Sequence, residues 1–169
     1  MGDPKKRRKK QESPKKPWDP ALFEYELRVV GEYGLKNRKE LRTVHSKLRR
    51  IRDSARSTFA LPERDRSVKT AEILFKVRKM GLIGEEDTID DVLKLSIEDL
   101  LERRLQTMAY RKGLARSIHQ ARQLITHGHI TLRGRVFRKP GKNLEVGDED
   151  LIAINPHSPF AEKSHPIWV

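Results

Sequence analysis

Between Arg103 and Leu144 the chain sets eleven basic residues (Arg103, Arg104, Arg111, Lys112, Arg116, Arg122, Arg133, Arg135, Arg138, Lys139 and Lys142) and no acid. Such a segment folds with its cations turned outward over a core made from its few apolar residues, because a buried unpaired charge is too expensive. The apolar spacing says how. A helix starting at Ile97 presents Leu100, Leu101, Leu105 and Met108 to one side and ends near Gly113. Ser117 caps a second helix with Gln120 three residues on, and Ala121, Leu124 and Ile125 point inward. His127-Gly128 closes it. A strand over 129–132, a turn at Arg133-Gly134, a short return at Val136-Phe137, a turn at Val146-Gly147-Asp148 and a strand over 151–154 complete a helix hairpin on a small sheet. In this reading Arg111, Lys112 and Arg116 cluster at the hairpin turn, and Arg122 leaves the second helix on its exposed side.

The N-terminal half reads as helices. Residues 1–18 carry Lys5, Lys6, Arg7, Arg8, Lys9, Lys10, Lys15 and Lys16 among prolines, a composition that buries no core and predicts an arm disordered alone and ordered on RNA. Asp19-Pro20 starts a helix that runs to about Glu32, with Gly34 as its stop. Asn37 caps a longer one, with Glu40 as capping-box partner. Its apolar stripe is Leu41, Val44, Leu48, Ile51, Ala55 and Phe59, and its other face holds Arg42, Lys47, Arg49, Arg50, Arg52 and Arg56. After Leu61-Pro62 a further helix fits 67–80, with Ile73, Leu74, Val77 and Met80 inward. Residues 84–102 reverse the polarity. They hold Glu85, Glu86, Asp87, Asp90, Asp91, Glu98, Asp99 and Glu102 against Lys94, with Thr88 and Ser96 as N-caps, and read as a structural segment facing solvent.

The formal net charge of +13 calls for a polyanionic partner. Nucleic acid is favoured over an anionic membrane. No apolar run follows the basic start, and no window has the ~20 apolar residues of a membrane helix. A cytosolic chain is the expectation. With no cysteine there is neither a disulfide framework nor a thiolate zinc site. His127 and His129 lack the further ligands of a metal site, so no metal or cofactor is expected. Tyr110 could stack on a base or pack partly in the core.

The stretch LERRLQTMAYRKGLARSIHQARQLITHGHITLRGRVFRKPG, with V-G-D after it, resembles the RNA-binding module called the S-four domain. MGDPKKRRKK, the Pro17-Trp18 pair, EYGLKNRKEL and SIEDLLERRLQT extend the likeness to the archaeal type of the small-subunit ribosomal S-four family, over nearly the whole chain. Where family members often read Pro-Ser-Tyr, Gly141-Lys142-Asn143 follows Pro140 here. The expected class is α+β, mostly α. A basic arm (1–18) precedes a helical domain (19–102, acidic over 84–102), an S-four domain (103–155) and a C-terminal tail (156–169). The resemblance implies a primary binder of ribosomal RNA. It would nucleate the 5′ domain of small-subunit rRNA, neighbour the protein S-five and the channel by which messenger RNA enters, and influence decoding accuracy. The expected RNA contacts are Lys5, Lys6, Arg7, Arg8, Lys9 and Lys10 in the arm, and Arg49, Arg50, Arg52 and Arg56 on the long helix. Arg103, Arg104, Arg111, Lys112, Arg116, Gln120, Arg122, His127, Arg133, Arg135 and Arg138 complete the set.

Two other classes carry the same features. RNA-modifying enzymes with this module need an Asp in Gly-Arg-Leu-Asp, whereas this chain reads Gly134-Arg135-Val136-Phe137 and has no large second domain for a cleft. A DNA-binding helix-turn-helix would also place Gly113 between two helices. Here, however, the second helix runs into a strand-forming His-Gly-His-Ile segment, with no dimerisation element.

Overall fold

The computed structural model describes residue 2 and residues 9–161. Lys5, Lys6, Arg7 and Arg8, expected to contact RNA, and the last eight residues, expected to be part of a C-terminal tail, lie outside the described residues. Seven helices and a three-stranded sheet follow one another among the described residues. They are α1 (Pro20–Glu32), α2 (Arg38–Thr58), α3 (Glu63–Lys79), α4 (Ile89–Lys94), α5 (Ile97–Glu102), α6 (Leu105–Arg111), α7 (Ile118–His127), β1 (Ile130–Leu132), β2 (Arg135–Val136) and β3 (Ile152–Ile154). The class is α+β and mostly α, as expected.

Local chemistry accounts for most boundaries. The Asp19 side chain accepts from Ala21 N, with Pro20 in the first turn of α1. Asn37 accepts from Glu40 N, and Ser117 accepts from Gln120 N. The residue three past each cap does not close a capping box. Glu40 reaches Lys36 N and Gln120 reaches Arg116 N, one residue before the cap in each case. Thr88 and Ser96 do form reciprocal boxes with Asp91 and Asp99.

Three expectations are corrected. α3 begins at Glu63, a turn earlier than its apolar spacing suggested, because Pro62 pre-sets the backbone and Glu63 and Asp65 suit the positive end of the helix. Phe59 is no core residue. It caps α2 with 42% exposure and lies under the Arg66 guanidinium, 5.1 Å from ring centre to Arg66 Cζ. The helix expected to run from Ile97 to Gly113 is two helices. Arg103 and Arg104 break it by pairing in strand fashion with 142–144. Leu105 N donates to Lys142 O and Leu144 N to Arg103 O, both at 2.8 Å, and these bonds replace helical ones.

Three apolar clusters result. Leu105, Ala109, Leu124, Ile125, Ile130, Leu132, Leu144 and Ile152 hold α6, α7 and the sheet together. Leu48, Ala55, Val77, Val92, Leu95 and Leu100 join α2 to α3, α4 and α5. Val29, Tyr33, Leu35, Leu41 and Leu101 seat α1. The sheet order is β2-β1-β3, antiparallel throughout, with Thr131 opposite Val136 on one side and Ala153 on the other. Arg133 (φ 52°) and Gly134 (φ 73°) make the β1–β2 turn, both left-handed, which matches the twist of a two-residue hairpin.

Candidate nucleic-acid interface

The acid-free run acquires its acids from the rest of the chain. Six of its eleven cations form ion pairs: Arg103 with Glu149, Arg104 and Arg122 with Glu40, Arg111 with Glu102, Lys112 with Asp150, and Arg133 with Asp148 and Glu145. No carboxylate among the described residues pairs with the other five, Arg116, Arg135, Arg138, Lys139 and Lys142, and all five are exposed. These five form the candidate interface.

Glu40 is the centre of the paired group. Its carboxylate accepts from Arg122 Nη2 at 2.7 Å and Nη1 at 3.1 Å, and from Arg104 Nη2 at 3.3 Å. Arg122 also lies 3.3 Å from both Gly34 O and Gln106 Oε1. Gln106, fully buried, donates to Gly34 O at 2.9 Å and Ile118 O at 3.0 Å. Gly34 has φ 56°, and a Cβ there would sit 2.8 Å from both Gln106 Nε2 and Ile118 Cγ2, so the site demands glycine twice over. The node ties the α1–α2 turn to α6 and α7.

Arg122 therefore does not leave α7 on an exposed side. Its side chain is 20% exposed and that of Arg104 is 4%, and both stitch the two halves of the chain together. Burial pushes the Arg104 guanidinium below its ordinary value, against the pull of Glu40. Arg103 is similarly enclosed, donating to Met80 O and Glu149. The acidic segment is not simply solvent-facing either. Glu98 accepts from Tyr25 at 2.7 Å and Glu102 from Tyr33 at 3.1 Å. Burial and Glu98 push the Tyr25 hydroxyl up to about 12.

The expected contacts on α2 divide in the same way. Arg52 donates to Leu95 O, Arg49 pairs with Glu12 and Asp53, and Arg56 pairs with Asp53. Arg42, set on the same face, forks onto the buried Glu26 with two bonds of 2.9 Å. Arg50 is exposed with no carboxylate partner among the described residues. In the arm, Lys9 and Lys10 are exposed, Lys9 Nζ lying 3.4 Å from Ser13 Oγ. Glu12 N donates to Ser46 Oγ at 3.0 Å, which lays this part of the arm on α2.

His127 is exposed and stacks on His129 with ring centres 6.3 Å apart. His129 meets Phe160 edge-on at 4.7 Å and Ser158 Oγ at 2.9 Å, so it anchors the chain after β3. Among the described residues no group of three potential ligands gathers to hold a metal.

Arg133 Nε reaches the buried Asp148 at 2.5 Å, which stabilises its left-handed backbone. Asp148 Oδ2 also accepts from Glu145 N. A shallow cleft lined by Arg133, Arg135 and Lys142 lies beside this pair, and a second, lined by Lys47 and Lys142, adjoins it. Lys142 belongs to both, so cations run from the β2 turn across the Gly141 loop to α2, with Glu145 and Asp148 among them in the first cleft.

These carboxylates make folding pH-dependent. Burial raises Glu40 and Asp148, but Arg122 and Arg104 in the first case, and the Glu145 amide and Arg133 in the second, bring both below their ordinary values of 4.5 and 3.8. Burial and His127 lower His129 below 6.5. A depressed value contributes stability above the unfolded-state pKa, and that stability is lost as pH falls through the folded value. Urea unfolding across pH should show a shallow loss beginning below about 6.5 and a steeper one below about 4.5. His129→Gln should remove the first without moving the second.

The S4 domain family matches residues 103–150. The chain is 48% identical over 167 residues to "Small ribosomal subunit protein uS4" of Sulfurisphaera tokodaii, covering 98% of this chain and 93% of that protein. It is 47% identical over 163 residues to the protein of the same name from Hyperthermus butylicus (96% and 93%). With the one from Ignicoccus hospitalis it shares 46% over 164 residues (97% and 99%).

Proposed function

The chain belongs to the archaeal-type uS4 family of small ribosomal subunit proteins, and from that premise we propose that it is a structural constituent of the subunit, binding its ribosomal RNA in the cytoplasm. Its relatives are ribosomal proteins and not enzymes. The observation that carries the RNA reading is the set of five exposed cations in the S4 domain that form no ion pair among the described residues. Each can neutralise a phosphate and release its counterion. Arg116 at the hairpin turn and Arg135, Arg138 and Lys139 beyond it contact the RNA backbone, with Arg50 joining from α2. Arginine adds forked contacts and stacking that suit an irregular RNA junction. Arg104 and Arg122 hold the surface that presents them.

Five to seven phosphate contacts give a slope of log affinity against log salt of roughly −3.5 to −6. Filter binding of full-length protein to transcribed small-subunit rRNA over a salt series measures it. A flat dependence would overturn the electrostatic reading.

The finer reading is that the protein binds the 5′ domain of the rRNA early, nucleates assembly there, and lies beside S-five near the channel by which messenger RNA enters, where it influences decoding accuracy. The family resemblance and the basic arm support it. Footprinting on naked rRNA should show protection confined to the 5′ domain with this protein alone. Protection that needs other subunit proteins would remove the nucleating role.

A further inference from the structure

Lys47 on α2 and Lys142 in the loop between Arg138 and Leu144 line one cavity of about 380 Å³, floored in part by Gly141 and Leu144. Neither lysine forms an ion pair among the described residues, and the charge of Lys142 acts only at longer range on Asp148, which Arg133 already holds. Glu145 also lines this cavity, and its carboxylate pairs with Lys79 at 3.4 Å and Arg133 at 3.6 Å. A third cation lies under the loop. Arg104 is 3% exposed, and its Nη2 would stand 3.3 Å from a Cβ at Gly141. Its Nε is buried without a hydrogen-bond partner. Burial, and then the charge of Lys142, hold the Lys47 ammonium below its ordinary value.

A half-buried ammonium at Lys47 facing the like charge of the exposed Lys142 disfavours the free protein. The arrangement is understandable if an anion supplies the missing charge. The backbone keeps the loop in place for it, since Lys142 O accepts from Leu105 N at 2.8 Å and Pro140 O from Gln106 N at 3.3 Å. Glycine at 141 leaves the approach over Arg104 free of side chain. A phosphate group, with several acceptor oxygens and a delocalised charge, fits two ammonium groups that line one cavity, with the Arg104 guanidinium beneath the adjoining Gly141.

The geometry points to the Lys47–Lys142 notch as a built binding site for one phosphodiester of an RNA strand, shared between the α2 helical half and the S4 domain. This rests on the RNA-binding reading above and goes beyond it by assigning a bridging phosphate to two lysines on separate halves of the chain. Strand binding here would lock the two halves in register, in the manner of the Glu40 node.

The test uses full-length protein and transcribed small-subunit rRNA, with Lys47→Gln, Lys142→Gln, the double variant and Arg116→Ala. The double variant should bind roughly fivefold to tenfold more weakly at ~0.1 M salt and lower the salt slope by about one contact. Each single variant should lose most of that, because one phosphate is shared, and the free double variant should melt no lower than wild type. An unchanged slope in the double variant, while Arg116→Ala lowers its own, overturns the notch and leaves the RNA reading intact. A flat slope for wild type overturns the reading itself. Inorganic phosphate titrated onto the free protein, followed through the lysine Cε signals, separates a strand-held site from a free-anion site. Saturation of Lys47 and Lys142 by phosphate alone would overturn assignment to a strand.

Discussion

Replacing Glu40 with Ala should lower the unfolding free energy by roughly 3 kcal/mol, the low end of the cost of stripping a buried ion pair of one partner, because Glu40 itself keeps some contact with water. The loss comes from what is left behind. Arg104, almost wholly enclosed, and Arg122, bonded to both carboxylate oxygens, would each retain a charge with no counter-ion. Water reaches Arg122 more easily, so Arg104 carries most of the penalty. Arg122→Ala should also destabilise, whereas Arg116→Ala, at an exposed side chain, should change stability by no more than about 0.5 kcal/mol. Because Glu40 and Arg122 act as a unit, the double variant should fall well short of the sum of the singles. Urea unfolding of the four proteins decides it. Additive losses would mean that the two side chains stabilise the fold independently.

Leu124→Ala should cost ~2–5 kcal/mol, the range for deleting a buried leucine whose neighbours cannot collapse into the space. Leu124 is 4% exposed and packs in the cluster of Leu105, Ile125, Ile130 and Leu132 that joins the hairpin to the sheet. RNA affinity should fall only as far as the folded fraction falls, and the salt slope should stay that of wild type, because no phosphate contact is lost. Arg116→Ala should do the opposite, holding its melting temperature and lowering its slope. Calorimetry and filter binding on both variants separate the roles. If Leu124→Ala changed the slope, α7 would have a contact role that its burial does not show.

The helices and their ends were legible in the sequence because capping and stop signals act over three or four residues. Asp19-Pro20, Asn37, Ser96 and Ser117 each mark a start where the backbone takes one, and Gly128 (φ 85°) closes α7 as its chemistry requires. The inward set Ala121, Leu124 and Ile125 followed from helical spacing alone and is buried. The ribosomal family was legible too, since its motif residues are contiguous.

Tertiary structure decided which cations are available. Glu40 stands 82 residues before Arg122 and 64 before Arg104, and nothing near it in sequence marks it as their partner. Its spacing from Asn37 pointed to a local capping role, and in the fold it touches the Lys36 amide at only 3.3 Å while taking the two arginines. The break at Arg103–Arg104 was equally invisible, because the strand-like partners that interrupt the helix arrive from 142–144. The sequence by itself determined the elements, the excess of positive charge and the family, because propensity, capping and net charge belong to a residue and its near neighbours. Only the folded chain decided that six of the eleven cations form intramolecular ion pairs and five form none among the described residues. Charge pairing depends on distance in space, and the acids that meet this segment are supplied from outside it.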